Sequence, residues 1–102
     1  MDKYKLYRTY RKKYGAHAQS MVAMEECAEL IKSISKYHRN GDFHDVIDEI
    51  ADVFITCEQL LLNIADNHGY VSDETMLMVE NVMDEKRVRM AERIGEEYDN
   101  DN

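Results

Sequence analysis

Apolar side chains recur along this chain at the spacing of one face of an α-helix. They stand three and four residues apart through most of the sequence. The chain has no proline, and its four glycines divide it into segments that are long enough for helices. The pattern predicts an all-α, four-helix-bundle-like fold, with helices over residues 2–14, 16–39, 43–67 and 73–94.

The first predicted helix is basic and rich in tyrosine. Its tyrosines follow spacings of three, three and four and form one stripe: Tyr4, Tyr7, Tyr10 and Tyr14. Residues 1–14 also hold six bases against a single acid. We expect this helix to dock its tyrosine face on the body of the protein or on another subunit. The alternative is a basic arm that lies near a phosphate or a nucleic acid.

The second and fourth helices each carry one main apolar stripe. The stripe of the second helix comprises Met24, Cys27, Ala28, Ile31, Ile34 and Ser35. The stripe of the fourth comprises Met76, Val79, Val82, Met83 and Met90. The pair Asn40-Gly41 predicts the end of the second helix, because both residues tolerate the left-handed conformation. Asp42 and Ser72 are expected to cap the third and fourth helices.

The third helix is the most apolar and carries a narrow acidic strip. One apolar stripe comprises Val46, Ile50, Val53, Cys57, Leu61 and Ile64, and a second comprises Ala51, Ile55 and Leu62. The strip between them comprises Asp45, Glu49, Asp52 and Thr56. A solvated helix face is usually broad and mixed in charge. A purely acidic strip that is walled by apolar residues therefore indicates acids that are partly enclosed.

A second pair of acids, Glu26 and Glu29, lies one turn apart on the second helix. The pair lies opposite the main apolar stripe, so the argument that its acids are enclosed is weaker here, and a solvent-exposed face is a reasonable alternative. Carboxylates that converge from two helices repel in a low dielectric, and they either protonate or bind a cation. Their oxygens suit Mg²⁺ or Mn²⁺, and magnesium commonly shares its ligands with substrate phosphates. The pattern thus indicates a Mg²⁺–phosphate site, with a charged surface as the alternative.

Charge, length and cysteine usage restrict the class of protein. The net charge of −8 disfavours general nucleic-acid binding. No apolar run approaches the length of a membrane span or of a signal peptide, so we expect a cytoplasmic protein that does not bind membranes. Cys27 and Cys57 lie among apolar neighbours and are expected to be buried thiols.

The length predicts one domain, residues 1–95, followed by a disordered acidic tail over residues 96–102. Four helices of this length, one of them apolar on two faces, bury their stripes poorly alone. We therefore expect a homo-oligomer, either a homodimer or a homotetramer.

The two acid pairs also form a sequence motif. EExxE at Glu25-Glu26-Cys27-Ala28-Glu29 is followed, after nineteen residues, by ExxD at Glu49-Ile50-Ala51-Asp52. This pattern resembles the MazG-like family of all-α nucleoside triphosphate pyrophosphohydrolases. Gln19 ahead of the motif and the late segment MDEKRVRMAERI are similar to that family as well. The likeness extends over residues 14–95.

The resemblance implies the all-α NTP pyrophosphatase fold and an activity: Mg²⁺-dependent hydrolysis of a (d)NTP to a (d)NMP and pyrophosphate, by attack of water on the α-phosphorus. By motif position, the implied metal ligands are Glu26, Glu29, Glu49 and Asp52. Glu25 is implied as a further catalytic residue, which either orients the site or binds a second ion.

Substrate ligands are also expected outside the motif. Lys86, Arg89 and Arg93 share one face of the fourth helix and are predicted phosphate ligands, with a surface ladder of ion pairs as the alternative. The resemblance favours Lys86 most among them. Gln19 is predicted to read a base edge through its amide, and an ordinary polar helix position is the alternative.

Two other functions fit the same pattern. One is a non-catalytic acidic helical interaction module, in which the acids only keep the protein soluble. The other is a related pyrophosphohydrolase that acts on phosphoribosyl-ATP. A carboxylate-bridged di-iron protein is disfavoured, because no glutamate here is followed three residues later by histidine.

Overall fold

The fold is all-helical in the computed structural model, which describes residues 1–97. The helices are α1 (Lys3–Tyr14), α2 (Ala16–Asn40), α3 (His44–His68) and α4 (Ser72–Ile94). No strand occurs within the described range, so the all-α prediction is confirmed, and each predicted helix end lies within one residue of the observed one. Glu96 and Glu97 are helical beyond a turn at Gly95, and residues 98–102 of the predicted tail lie outside the described residues.

Local capping explains where the helices begin and end. Gly41 ends α2 with a φ of 73°, in the left-handed region that a side chain disfavours. The two predicted caps are each displaced by one residue. Phe43 occupies the cap position of α3, while the Asp42 carboxylate accepts the His44 N–H at 3.0 Å and so still satisfies a free donor. Ser72 is the first residue of α4 rather than its cap.

The helix α3 is the centre of the packing. It forms an antiparallel hairpin with α2, carries α4 against it, and contacts α1. Within residues 1–97, the buried apolar side chains are few: Tyr7, Ala23, Leu62 and Ala65. The radius of gyration is 17.2 Å, whereas a compact domain of this length has about 13 Å. A single chain therefore leaves much of its apolar surface uncovered.

The helix α2 turns its predicted apolar stripe outward. Met24 and Ile31 are 59% and 69% exposed, and the side that contains Ala23, Glu26 and Ser33 packs on α3 instead. The prediction that the two cysteines are buried is wrong, because both thiols are exposed. For Cys27 the reason is this rotation, which makes small and polar residues the contact between the two helices.

The basic helix α1 docks on α3 through both apolar and charged contacts. Tyr7 is buried, and its hydroxyl donates to Glu58 Oε1 at 3.0 Å. Arg8 and Arg11 form ion pairs with Asp66 at 3.0 and 2.7 Å. The helix thus docks on the body, as expected, but only part of the predicted tyrosine face takes part, because Tyr10 and Tyr14 are 50% and 53% exposed. Among the described residues, none of the helices has the length and apolar character needed to cross a membrane.

Candidate functional site

Three of the predicted acidic residues meet between α2 and α3. Glu26 approaches from α2, and Glu49 and Asp52 approach from α3, where they lie one turn apart. One carboxyl oxygen of each residue lies within 4.8 Å of the others. We call this group the acid trio. The acid trio forms because the α2–α3 hairpin brings the acidic sides of both helices together. From the sequence, an inward-facing acidic side was expected only for α3.

The carboxylates of the acid trio repel one another, with Glu26 and Glu49 partly buried and Asp52 exposed. Glu49 Oε2 is buried and has no hydrogen-bond partner, an arrangement that costs free energy. The pKa of Glu26 is raised, first by burial and then by the charge of Asp52 and by contact with Glu49. A divalent cation would give the buried oxygen a partner and would offset the repulsion. Three carboxylates are also the oxygen ligands that Mg²⁺ and Mn²⁺ prefer.

The other two acids of the motif lie outside the acid trio. Glu29 lies one turn further along α2, is exposed, and approaches the Lys32 ammonium only to 3.9 Å. Glu25 is exposed as well. The structure therefore brings together three of the four predicted metal ligands, and Glu29 lines the space beside them.

The amide of Gln19 is engaged inside the protein. Gln19 is 5% exposed, and its Oε1 accepts a hydrogen bond from Asn63 Nδ2 at 2.8 Å. Its Nε2 donates to the Tyr7 carbonyl at 3.5 Å. Arg11 Nη1 in turn donates to Asn63 Oδ1 at 2.8 Å. The Gln19 amide was predicted to read a base. In the structure, its oxygen and its nitrogen instead form hydrogen bonds that link α2 to α3 and to α1.

The predicted phosphate ligands of α4 make no ion pair with the acid trio. Lys86, Arg89 and Arg93 are exposed and make no ion pair with any of residues 1–97. Arg87, between them, pairs with Asp84 at 2.8 Å. The alternative, a surface ladder of ion pairs formed by Lys86, Arg89 and Arg93, is not observed among residues 1–97 either. The helix that carries them packs principally on α3.

A cleft of about 660 Å³ opens beside the acid trio, towards the turn between α2 and α3. Its volume is within the range of small-molecule sites. Glu49 belongs to both the acid trio and the cleft wall. The part of the wall that α2 contributes is mainly basic: beside Glu29 it carries Lys32, Lys36 and Arg39.

The sequence analysis missed these three bases of α2. The signal was present, since two acids and three bases follow one another at spacings of three, three, four and three: Glu26, Glu29, Lys32, Lys36 and Arg39. Such spacing places them along one side of the helix. The spacing alone does not show that this side of α2 faces α3.

Comparison with protein-family models, with curated proteins and with solved structures finds no match to this chain. The MazG-like resemblance consequently has only the residues of the chain itself behind it, chiefly the EExxE and ExxD pairs. The chemistry of the acid trio and of its neighbouring cleft is the remaining guide to function.

Proposed function

We propose that this chain is a Mg²⁺-dependent nucleoside triphosphate pyrophosphohydrolase, which converts a (d)NTP and water to a (d)NMP and pyrophosphate. The observation that carries the proposal is the acid trio, with its buried and unpartnered Glu49 oxygen. Glu26, Glu49 and Asp52 would hold the cation, and Mn²⁺ is a possible substitute for Mg²⁺. Glu29 and Glu25 stay predicted members of the site.

The chemistry of a triphosphate explains why a cation belongs here. Three carboxylates alone would repel a polyanionic substrate, so substrate binding at this site requires a positive charge between them. When bound, the cation would neutralise phosphate oxygens and stabilise the charge that develops as water attacks the α-phosphorus. The carboxylates of the chain would fix the position of the cation and orient the attacking water.

The exposed apolar stripe of α2 supports a homo-oligomeric form of this enzyme. Met24 and Ile31 are more than half exposed in the single chain. Large contiguous apolar surfaces on a protein usually mark an interface. A second copy of the chain, as in a homodimer or a homotetramer, would cover this stripe.

The same stripe favours the second candidate function, a non-catalytic interaction module. In that case the apolar face would be the functional surface, and the acids would only provide charge. The two proposals differ in what Mg²⁺ does to the protein. A ligand that binds only the folded state raises its stability, so Mg²⁺ should raise the melting temperature of an enzyme and leave that of a module unchanged.

A pyrophosphate-release assay tests the proposed activity directly. The wild-type protein is assayed with the common NTPs and dNTPs and with phosphoribosyl-ATP, in Mg²⁺ and in Mn²⁺. We expect release from at least one substrate and its loss in Glu49→Gln and Asp52→Asn. Glu85→Gln, an exposed acid on α4, is the matched control. The proposal fails if no compound is hydrolysed, or if Glu49→Gln is as active as the wild type.

A further inference from the structure

We propose that the three bases of α2 that line the cleft bind the polyphosphate chain of the substrate. They are Lys32, Lys36 and Arg39. The identity of the anion, the β- and γ-phosphates that leave as pyrophosphate, rests on the proposed function above. Binding of a polyphosphate by the cleft can be measured whether or not the protein hydrolyses a nucleotide.

The bases continue the line of the acid trio. Lys32 follows Glu26 by six residues, a rise of about 9 Å along the helix, and Arg39 lies about 10 Å beyond Lys32. The antiparallel helix α3 runs beside them, with Glu49 in the acid trio and Asp45 opposite Lys36, whose Nζ lies 3.1 Å from Asp45 Oδ2. A ligand with one end at the acid trio therefore extends directly into the basic part of the cleft.

The side chains of the three bases are available to a ligand. Arg39 makes no ion pair with any of residues 1–97, and its Nη1 donates only to the Ser35 hydroxyl at 3.1 Å. Lys32 and Lys36 have carboxylate partners, but both pairs are largely exposed and so contribute little. Arg8, by contrast, is held by two hydrogen bonds to Asp66. A guanidinium that lacks a carboxylate partner is well suited to bind phosphate with two parallel hydrogen bonds.

The bases of α4 lack this placement. None of Lys86, Arg89 and Arg93 lines the cleft, and Lys86 borders an apolar groove with Leu61 and Met83 instead. Charge stabilisation of a leaving pyrophosphate requires cations close to the bond that breaks. Among the α2 bases, Lys32 lies nearest to the acid trio, about 9 Å along the helix from Glu26, and Lys36 and Arg39 lie further along the cleft.

Calorimetric titration with inorganic tripolyphosphate in Mg²⁺ tests the inference. The test variant is the double substitution Lys36→Gln/Arg39→Gln, together with each single substitution. The charge-matched control is Lys5→Gln/Lys12→Gln, two exposed lysines of α1, and the rival variant is Lys86→Gln/Arg89→Gln. All positions are exposed, and circular dichroism verifies that each variant is folded.

We expect the α2 double variant to bind tripolyphosphate roughly tenfold more weakly or worse, because two charge-assisted contacts are lost. The control and the α4 variant should remain within about twofold of the wild type. The inference is overturned if the wild type does not bind, if the α2 variant binds as the wild type does, or if the α4 variant loses as much affinity.

The outcome is separable from that of the proposed function. If no nucleotide is hydrolysed but the α2 bases are required for tripolyphosphate binding, the subsite stands and the hydrolase proposal fails. If nucleotides are hydrolysed while the α2 variant retains the wild-type KM and affinity, the hydrolase stands and the subsite fails.

Discussion

Glu26 of α2 and Glu49 of α3 face each other across the hairpin interface, with carboxyl oxygens within 4.8 Å. Burial raises the pKa of Glu26, the charges of Asp52 and then of Glu49 raise it further, and one Glu49 oxygen has no hydrogen-bond partner. Two carboxylates in this relation repel each other where the dielectric is low. The repulsion is relieved either by a proton on Glu26 or by a cation between the two carboxylates, and the proposed function depends on the second.

Replacement of Glu49 by glutamine should have opposite effects with and without metal. Without metal, the neutral amide removes repulsion from Glu26 and Asp52, so we expect unchanged or increased thermal stability. With Mg²⁺ at tenfold above its Kd, the wild type should gain about 1.4 kcal/mol, which is a rise in Tm of about 5 °C or more for a chain of this size. Glu49→Gln should lose that rise.

Scanning calorimetry with and without millimolar Mg²⁺ measures both effects of the Glu49 substitution. Glu85→Gln, on the exposed part of α4, removes one acid outside the acid trio and should keep the full metal-dependent rise. A metal-dependent rise that persists in Glu49→Gln would show that the cation binds elsewhere.

Acid should weaken the docking of α1. Arg8 and Arg11 lower the pKa of Asp66 from 3.8 to about 2, mainly through their hydrogen bonds to its carboxylate. A carboxyl whose pKa is lower in the folded state stabilises the fold above its unfolded pKa and loses that effect as the pH falls through the folded pKa. The contribution should therefore be complete above about pH 4 and should disappear between pH 4 and pH 2.

Urea denaturation of Asp66→Asn at several pH values tests this dependence. At pH 7 the substitution should cost about 1 kcal/mol, since the pairs are partly exposed and screened by solvent. The difference from the wild type should shrink steadily below pH 4. Glu92→Gln, which replaces an exposed acid with no ion pair among residues 1–97, is the control and should cost little at pH 7. A constant cost of Asp66→Asn at every pH would contradict the assignment.

Gln19 and Asn63 should behave as one structural unit. Gln19→Met and Asn63→Leu each leave a partner amide without a hydrogen bond in a buried place, at a cost of about 1–3 kcal/mol. Because the two side chains bond to each other, the double variant should cost less than the sum of the single ones, with a coupling of at least about 0.5 kcal/mol.

A double-mutant cycle by chemical denaturation measures the coupling between Gln19 and Asn63. If Gln19 reads a base, as the sequence predicted, Gln19→Met should also raise KM for one nucleotide more than for the others. Additive stability effects, together with such a base-dependent change in KM, would assign Gln19 to the substrate instead of to the helix contacts.

The outward stripe of α2 should hold copies of the chain together. Ile31 is 69% exposed in the single chain, and a charge buried at that position in an interface is costly. We expect the wild type to sediment as a dimer or tetramer. In Ile31→Glu the dissociation constant of the oligomer should be roughly 100-fold higher or more, which corresponds to about 2.7 kcal/mol of association free energy.

Sedimentation equilibrium over a wide range of concentrations measures the association of both forms. Lys12→Glu, an exposed change on α1, is the control and should keep the wild-type association. A wild type that stays monomeric at all concentrations would refute the proposed role of the stripe.

Local signals explain the success of the sequence prediction for the helices. Gly15, Gly41 and Gly69 end or separate helices through their own backbone conformations, so the ends could be recognised within one residue. The position of the α3 acids between two apolar stripes could be recognised from one helix, but the enclosure predicted for them is observed only for Glu49, since Asp45 and Asp52 are exposed. Such features depend on residues only a few positions apart.

Features that depend on two helices could not be predicted in the same way. The helical wheel of α2 placed Glu26 opposite the apolar stripe and did not decide whether Glu26 faces solvent or the protein. In the structure, that side of α2 faces α3. The same rotation exposes Cys27 and carries Lys36 into the cleft. It depends on how side chains of both helices interlock, which the period of either one does not contain.

The amino-acid sequence by itself determined four helices, their ends and the presence of acid pairs on the second and third, because helix periodicity and capping are local properties. Only the tertiary structure decided which acids meet, that Gln19 bonds within the protein, and that the bases beside the acids come from α2. The physical reason is that a periodic pattern gives angles around one helix axis. The rotation of one helix against another follows from the packing of all the side chains between them.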